Sequence, residues 1–120
     1  MSQTMTLTME ETMQQCIENC TECHNICVET LDYCISMGGN HVQATHLKSL
    51  MDCADTCTTS ANLMLRNSNL HPQMCGVCAT ACERCADSCE QFSGNATMKE
   101  CADICRHCAQ SCKQMSGMKM

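Results

Sequence analysis

Cysteine and aliphatic side chains recur along the chain at steps of three and four residues, with polar and charged residues between them. This spacing places side chains on one face of an α-helix. No segment has the strict alternation of apolar and polar residues, or the run of β-branched and aromatic residues, that is typical of a strand. The pattern therefore predicts an all-α protein.

Helix-boundary signals in the first half of the chain predict two helices. The first begins at a capping box formed by Thr8 and Glu11 and ends before Gly38. The second begins at Asn40, with Gln43 three residues later, and extends to about residue 67. Both segments are long enough to pack along their full length against neighbouring helices.

Similar signals predict two more helices in the second half. The third opens at Pro72, a residue suited to the first turn, and ends before Gly94. The fourth begins at a second capping box, Thr97 and Glu100. The four predicted helices cover about 8–37, 41–67, 72–92 and 97–115. Because short connections place successive helices side by side and antiparallel, we expect residues 1–120 to form one domain, an up-down-up-down four-helix bundle.

The 16 cysteines occur at the positions that such a bundle directs inward. Within each predicted helix their steps are mostly three or four residues, the spacing of core positions. They are Cys16, Cys20, Cys23, Cys27, Cys34, Cys53, Cys57, Cys75, Cys78, Cys82, Cys85, Cys89, Cys101, Cys105, Cys108 and Cys112. We therefore expect a core lined with thiols.

The other residues cannot fill a core in the usual way, because the chain has one Phe, one Tyr and no Trp beside 12 Met. Thiols that served only as small hydrophobic side chains would give a loosely specified core. The N-terminal segment has no basic n-region and no apolar h-region, so we expect a cytoplasmic protein. Thiols in that compartment stay reduced, which favours metal binding over disulfides.

Thiolate charge distinguishes the candidate metals. Four Zn²⁺ in Cys₄ sites would use all 16 thiolates and leave a net charge of −8 in a medium of low dielectric constant. If each Cu(I) binds two thiolates and each thiolate bridges two ions, equal numbers of ions and thiolates give a neutral core. Soft sulfur ligands also select Cu(I). Charge and ligand softness therefore favour multiple Cu(I) ions per chain.

Two other functions stay open at this point: a zinc or cadmium buffer similar to metallothionein, and a thiol-disulfide redox buffer. The sequence lacks the bacterial iron-sulfur motif, and no cysteine stands out as a nucleophile beside a base, so we expect no enzymatic activity. The formal net charge of −6 argues against nucleic-acid binding. No apolar run has the length of a membrane span.

The cysteine pattern resembles that of the bacterial copper storage proteins, over residues of about 8–115. The resemblance implies a Cys-lined four-helix bundle that binds many Cu(I) ions, and the absence of a signal peptide resembles the cytosolic members. It also implies a homotetramer. It rests on CxxxC pairs that begin at Cys16, Cys23, Cys53, Cys78, Cys85, Cys101 and Cys108.

Methionine and histidine residues are concentrated near the predicted helix ends. Alternating helices bring one set of methionines to the same end: Met5, Met9, Met13, Met64, Met74, Met115 and Met118. Met9, Met13, Met64 and Met115 are candidate Cu(I) ligands that pass ions inward, although methionine also serves simply to fill core gaps. His46, seven residues before Cys53, has the phase of an inward-facing residue and is a further candidate. We expect the other histidines on the surface: His24, His41, His71 and His107.

Overall fold

A computed structural model describes residues 8–117, which form four α-helices and one short 3-10 helix. The α-helices are α1 (Met9–Met37), α2 (Ala44–Leu65), α3 (His71–Glu90) and α4 (Ala96–Ser116), and the 3-10 helix is Gly39–Val42. The described residues contain no strand. The predicted all-α class is confirmed.

Cap residues determine where α1 begins and ends. Thr8 and Glu11 form the predicted capping box, in which each side chain accepts a hydrogen bond from the backbone of the other. At the other end Gly38 has a φ of 69°, a left-handed conformation that glycine adopts without steric cost, and its N–H donates to the carbonyl of Cys34. Both ends of the first predicted helix are therefore confirmed.

The starts of α2 and α4 differ from the prediction. Asn40 lies in the 3-10 helix, and α2 begins after Gln43, whose side chain makes no capping hydrogen bond. Helix α4 begins at Ala96 because Asn95 Oδ1 accepts a hydrogen bond from the N–H of Met98 at 3.0 Å. The predicted capping box at Thr97 is wrong, since an Asn two residues earlier already satisfies the free N–H groups.

The four helices form a ring in which α1 packs on α2 and α4, and α3 also packs on α2 and α4. Connections of five or six residues make successive helices antiparallel, as predicted. The bundle therefore has two distinct ends. The methionine end combines the starts of α1 and α3 with the ends of α2 and α4, and the histidine end combines the other four termini. No helix among the described residues is both long and apolar enough to cross a membrane.

Ion pairs on the outer surface connect α3 with α4. Arg106 Nη2 lies 2.6 Å from Asp87 Oδ1 and 2.6 Å from Glu90 Oε1. Lys113 Nζ lies 3.0 Å from Glu83 Oε1 along the same helix pair. These groups are exposed to solvent, so the pairs orient the two helices with little gain in free energy, and the charged surface stays separate from the thiol core.

Candidate metal centre

All 16 cysteines are buried free thiols, and none is more than 1% exposed. They occupy successive layers between the four helices and are accompanied in the core by small Ala residues and a few larger side chains such as Leu50. The small neighbours bring the helices close together, so the sulfur atoms of different helices meet on the bundle axis. The predicted inward orientation of every cysteine is confirmed.

Sulfur atoms from different helices lie close together without being bonded. Cys53 Sγ is 3.5 Å from Cys82 Sγ and 3.6 Å from Cys23 Sγ. Cys20 Sγ is 3.6 Å from Cys112 Sγ. A disulfide needs about 2.05 Å between the sulfurs, whereas two sulfurs on one ion at metal–sulfur distances of about 2.3 Å lie about 4 Å apart at trigonal geometry and about 4.6 Å apart at linear geometry. The sulfurs are therefore too far apart for disulfides, and movements of about 1 Å or less allow them to share metal ions.

The described residues contain five groups of four cysteines, and within each group the four sulfur atoms all lie within 4.8 Å of one another. From the methionine end they are Cys20, Cys78, Cys108 and Cys112; Cys57, Cys78, Cys82 and Cys108; Cys23, Cys53, Cys57 and Cys82; Cys23, Cys27, Cys53 and Cys105; and Cys27, Cys85, Cys101 and Cys105. Eight of these cysteines belong to two groups each. The sulfurs therefore form one continuous array in which neighbouring groups share ligands.

This sharing limits how many separate tetrahedral sites the core can contain. At most three of the five groups can be chosen without using a cysteine twice, and those three use 12 of the 16 thiols. Three Zn²⁺ against 12 thiolates leave a net charge of −6 inside the bundle, where uncompensated charge is costly. Monovalent ions that bridge pairs of thiolates can use all the thiols and leave no net charge in the core.

Burial opposes ionisation of these thiols unless a cation replaces the proton. At Cys34, burial, together with the nearby Cys101 and Cys85, raises the pKa from its ordinary value of 9.0 to about 11. Deeper in the core the pKa of each thiol depends on hydrogen bonds with neighbouring thiols. A hydrogen bond with Cys105 lowers the pKa of Cys23, whereas a hydrogen bond with Cys101 raises the pKa of Cys105. Protons are thus shared between sulfurs, and metal binding must displace them from the array as a whole.

The methionine end has a buried layer beneath an exposed one. Met64 and Met115 are buried, Met13 and Met74 are half-buried, and Met9 is 56% exposed. The remaining two predicted members, Met5 and Met118, lie outside the described residues. Cys16 and Cys112, whose sulfurs are 3.9 Å apart, form the first thiol layer that we find at this end. The thioethers therefore lead from the surface towards the thiols.

His71 also lies at the methionine end and is buried, so the prediction of a surface position is wrong. Hydrogen bonds with Cys112 and Cys16 are the main causes that lower the pKa of the Cys75 thiol, and a hydrogen bond with the side chain of His71 adds a smaller effect. A signal for this position exists in the sequence, because His71 precedes Cys75 by four residues and Cys78 by seven, which is the phase of the thiol stripe.

At the histidine end His46 is buried, as predicted, and its Nε2 atom lies 3.3 Å from Cys34 Sγ. Burial lowers the pKa of His46, which favours the neutral imidazole that metals bind. Cys34 Sγ also lies 3.8 Å from the sulfur of Met98, a fully buried residue that the sequence interpretation missed. Met98 precedes Cys101 by three residues and Cys105 by seven, so the same phase would have identified it.

The other three histidines lie outside the thiol array. His41 is half-buried and stacks on Phe92 with ring centroids 4.3 Å apart, so the expected surface position is wrong for this residue. His24 is partly exposed and pairs with Asn25 at 2.9 Å, and His107 is exposed. Phe92 also contacts the ring of His46, with centroids 4.8 Å apart. The aromatic residues therefore cover the histidine end.

Comparisons with known proteins agree with this geometry. The family model described as copper storage protein matches residues 9–117. A solved protein from Nitrosospira multiformis is 43% identical, with a TM-score of 0.84, over 90% of this chain and 97% of its own. No curated protein matches the chain.

Two solved copper storage proteins are also similar to the chain. The Cu(I)-bound Bacillus protein BsCsp3 is 26% identical, with a TM-score of 0.82, over 88% of this chain and 99% of its own. A cytosolic copper storage protein from Streptomyces lividans, solved with five coppers, is 30% identical, with a TM-score of 0.79, over 92% of this chain and 97% of its own.

Proposed function

The chain belongs to the copper storage protein family, and we propose that it stores multiple Cu(I) ions on the thiolates of its bundle core. One observation carries this proposal: eight core cysteines each belong to two four-sulfur groups, so the sulfur atoms are arranged to bridge ions. Bridging thiolates and monovalent ions give a neutral core at high occupancy, and sulfur ligands prefer Cu(I). The geometry suits a cargo of many ions better than a few isolated sites.

We assign all 16 cysteines as copper ligands, which corresponds to about sixteen Cu(I) per chain when ions and thiolates are equal in number. Twelve cysteines belong to the four-sulfur groups. Of the other four, Cys16, Cys75 and Cys89 extend the array towards the two ends of the bundle, and Cys34 lies beside His46. His46 is assigned as a ligand at the histidine end because its Nε2 atom faces Cys34.

The methionine end is the proposed route by which copper reaches the core. Met9 is exposed, Met13 is half-buried, and Met64 and Met115 are buried beside the first thiols, so ligand strength increases inward. Thioethers bind soft Cu(I) without losing a proton, and thiolates then hold it more tightly. Replacing these four methionines by Leu preserves volume and should slow Cu(I) loading while leaving capacity nearly unchanged. Loading at the wild-type rate in that variant would mean that these methionines only pack.

The remaining properties follow from family membership and the surface. We infer that residues 1–120 act as one storage domain without a catalytic step. Similarity to the cytosolic copper storage protein from Streptomyces lividans supports a location in the cytoplasm. The family resemblance implies a homotetramer, and Val28 and Ile35, which are exposed and seven residues apart on α1, are a candidate contact for this assembly. Sedimentation of the reduced protein tests this assembly.

Anaerobic titration of reduced apo-protein tests the storage function. Cu(I) is added against a chromophoric Cu(I) competitor, and Zn²⁺ is titrated separately against a zinc indicator. Binding of about sixteen Cu(I), with Cu(I) displacing any bound Zn²⁺, supports copper storage. Saturation at four Cu(I) or fewer would support discrete sites and a zinc or cadmium buffer. Weak binding of both metals, together with reversible oxidation of the thiols, would support a redox buffer.

A further inference from the structure

A thiol, an imidazole and a thioether converge at the histidine end of the bundle. Cys34 Sγ lies 3.3 Å from His46 Nε2 and 3.8 Å from Met98 Sδ. The three side chains come from α1, α2 and α4, and none is more than 4% exposed. We propose that Cys34, His46 and Met98 form a three-coordinate site for a single Cu(I), separate from the bridged thiolates. This inference rests on the proposed storage function and adds a second kind of site to it.

The two distances from Cys34 Sγ to the other donors suit a single ion. With metal–sulfur and metal–nitrogen distances of about 2.3 and 2.0 Å, trigonal geometry places two sulfurs about 4.0 Å apart and a sulfur and a nitrogen about 3.7 Å apart. The observed distances of 3.8 and 3.3 Å are within a few tenths of an ångström of these values. Unbranched Met98 can make this adjustment through its three rotatable bonds.

Cys34 stands apart from the shared array. It belongs to none of the five four-sulfur groups, and the two polar contacts that we find for its sulfur are with His46 and Met98. One thiolate and one Cu(I) form a neutral pair, and the other two donors are neutral in their binding forms. The site therefore needs no bridging thiolate to balance its charge, unlike an ion in the centre of the core.

Ser88 positions the imidazole for this role. Ser88 Oγ lies 2.7 Å from His46 Nδ1, and when Nδ1–H donates to this hydroxyl, the Nε2 lone pair faces Cys34. Outer partners of this kind fix the tautomer and orientation of a ligand histidine. The ring of Phe92, 4.8 Å from that of His46, restricts it from another side. The imidazole is thus held in its binding orientation before any ion arrives.

A groove between α2 and α3 reaches this site from solvent. Its volume is about 970 Å³, and its lining includes both His46 and Ser88. Ions in the middle of the core lie behind several layers of thiols, whereas an ion bound at Cys34 is one side chain away from this groove. The ion at the three-donor site should therefore exchange with external ligands faster than the bridged ions do.

Nuclear magnetic resonance of the full-length reduced protein tests the assignment directly. Protein labelled at methionine methyl groups with carbon-13 and at histidine with nitrogen-15 is titrated anaerobically with Cu(I) alone. We expect the Met98 methyl signal and the His46 Nε2 signal to shift together, and Cys34→Ala to abolish both shifts. The same variant should bind one Cu(I) fewer than the wild type.

Matched variants separate this site from general packing. Met98→Leu should lose the Nε2 shift or weaken it, whereas Met51→Leu, at an exposed position outside the proposed copper sites, should preserve it. Ser88→Ala should lower the affinity for this one ion by about tenfold or more and alter the His46 tautomer signature, and Ser88→Thr should restore both. Circular dichroism verifies that each variant is folded.

The possible outcomes distinguish this site from the storage function. If Met98 and His46 signals stay unchanged while the wild type still binds about sixteen Cu(I), the three-donor site is overturned and storage stands. If both signals shift but total capacity is four or fewer, the site stands and the bridged store fails. A Cys34→Ala variant with wild-type capacity would also overturn the site.

Discussion

Removal of a single shared thiol tests whether the core holds bridged or discrete ions. Cys53 belongs to two four-sulfur groups and lies 3.5 Å from Cys82, 3.6 Å from Cys23 and 3.9 Å from Cys105. Replacing it by Ala removes one buried sulfur and should cost about 1 kcal/mol, so a bundle of ordinary stability stays folded. The variant therefore isolates the contribution of one bridging ligand.

The two models predict losses of different size. Discrete tetrahedral sites number at most three in the wild type, and without Cys53 at most two complete, non-overlapping groups remain. Zinc capacity should therefore fall by about a third. In a bridged array the loss of one thiolate removes one negative charge, which one Cu(I) fewer balances, so Cu(I) capacity should fall only from about sixteen to about fifteen.

Cys16→Ala is the matched control, because Cys16 is buried but belongs to none of the four-sulfur groups. We expect it to lower Cu(I) capacity by about one ion and to leave zinc capacity unchanged. The assay is anaerobic titration of both variants with each metal against a chromophoric competitor. If Cys53→Ala lowers Cu(I) capacity by a third as well, copper occupies discrete sites and the bridging argument is refuted.

Three further predictions concern the protein without metal. Reduced apo-protein should be mostly helical by circular dichroism, because caps and packing form without an ion; a coil spectrum that becomes helical only with Cu(I) would contradict this. Asn95→Ala should cost about 1 kcal/mol and lower the Tm by about 4 °C, whereas Thr97→Ala should change it little. Because folding raises the pKa of Cys34 from 9.0 to about 11, its contribution to the stability of reduced apo-protein is complete below pH 9 and is lost as the pH rises through 11. Between pH 8 and pH 11 the free energy of unfolding in urea should fall less for Cys34→Ala than for the wild type. An identical fall in both proteins would refute the raised pKa of Cys34.

Local signals in the sequence were sufficient for the helices and for the orientation of the thiols. The phase of the cysteines predicts their burial because each α-helix turn directs positions three and four residues apart to one face, whatever the helix packs against. The cap at Thr8 and the glycine at Gly38 are also local, and both are confirmed. Thr97 was wrong as a cap because Asn95 already accepts the hydrogen bond from the N–H of Met98, and Asn40 was wrong because it lies inside the 3-10 helix that precedes α2.

In the sequence, thiol number, charge and ligand softness favoured Cu(I) while a zinc or cadmium buffer stayed open, and the resemblance of the CxxxC pairs indicated the family, which the family model confirms. Only the tertiary structure decided which sulfur atoms are neighbours, because each contact joins helices that are far apart in the chain, such as Cys20 and Cys112 at 3.6 Å. The convergence of Cys34, His46 and Met98 is of the same kind, since it requires the termini of three helices to meet. The spacing of residues along a helix predicts which side chains face inward. The neighbours of each side chain depend on the rotation and axial position of every helix, which the packing of all four helices determines together.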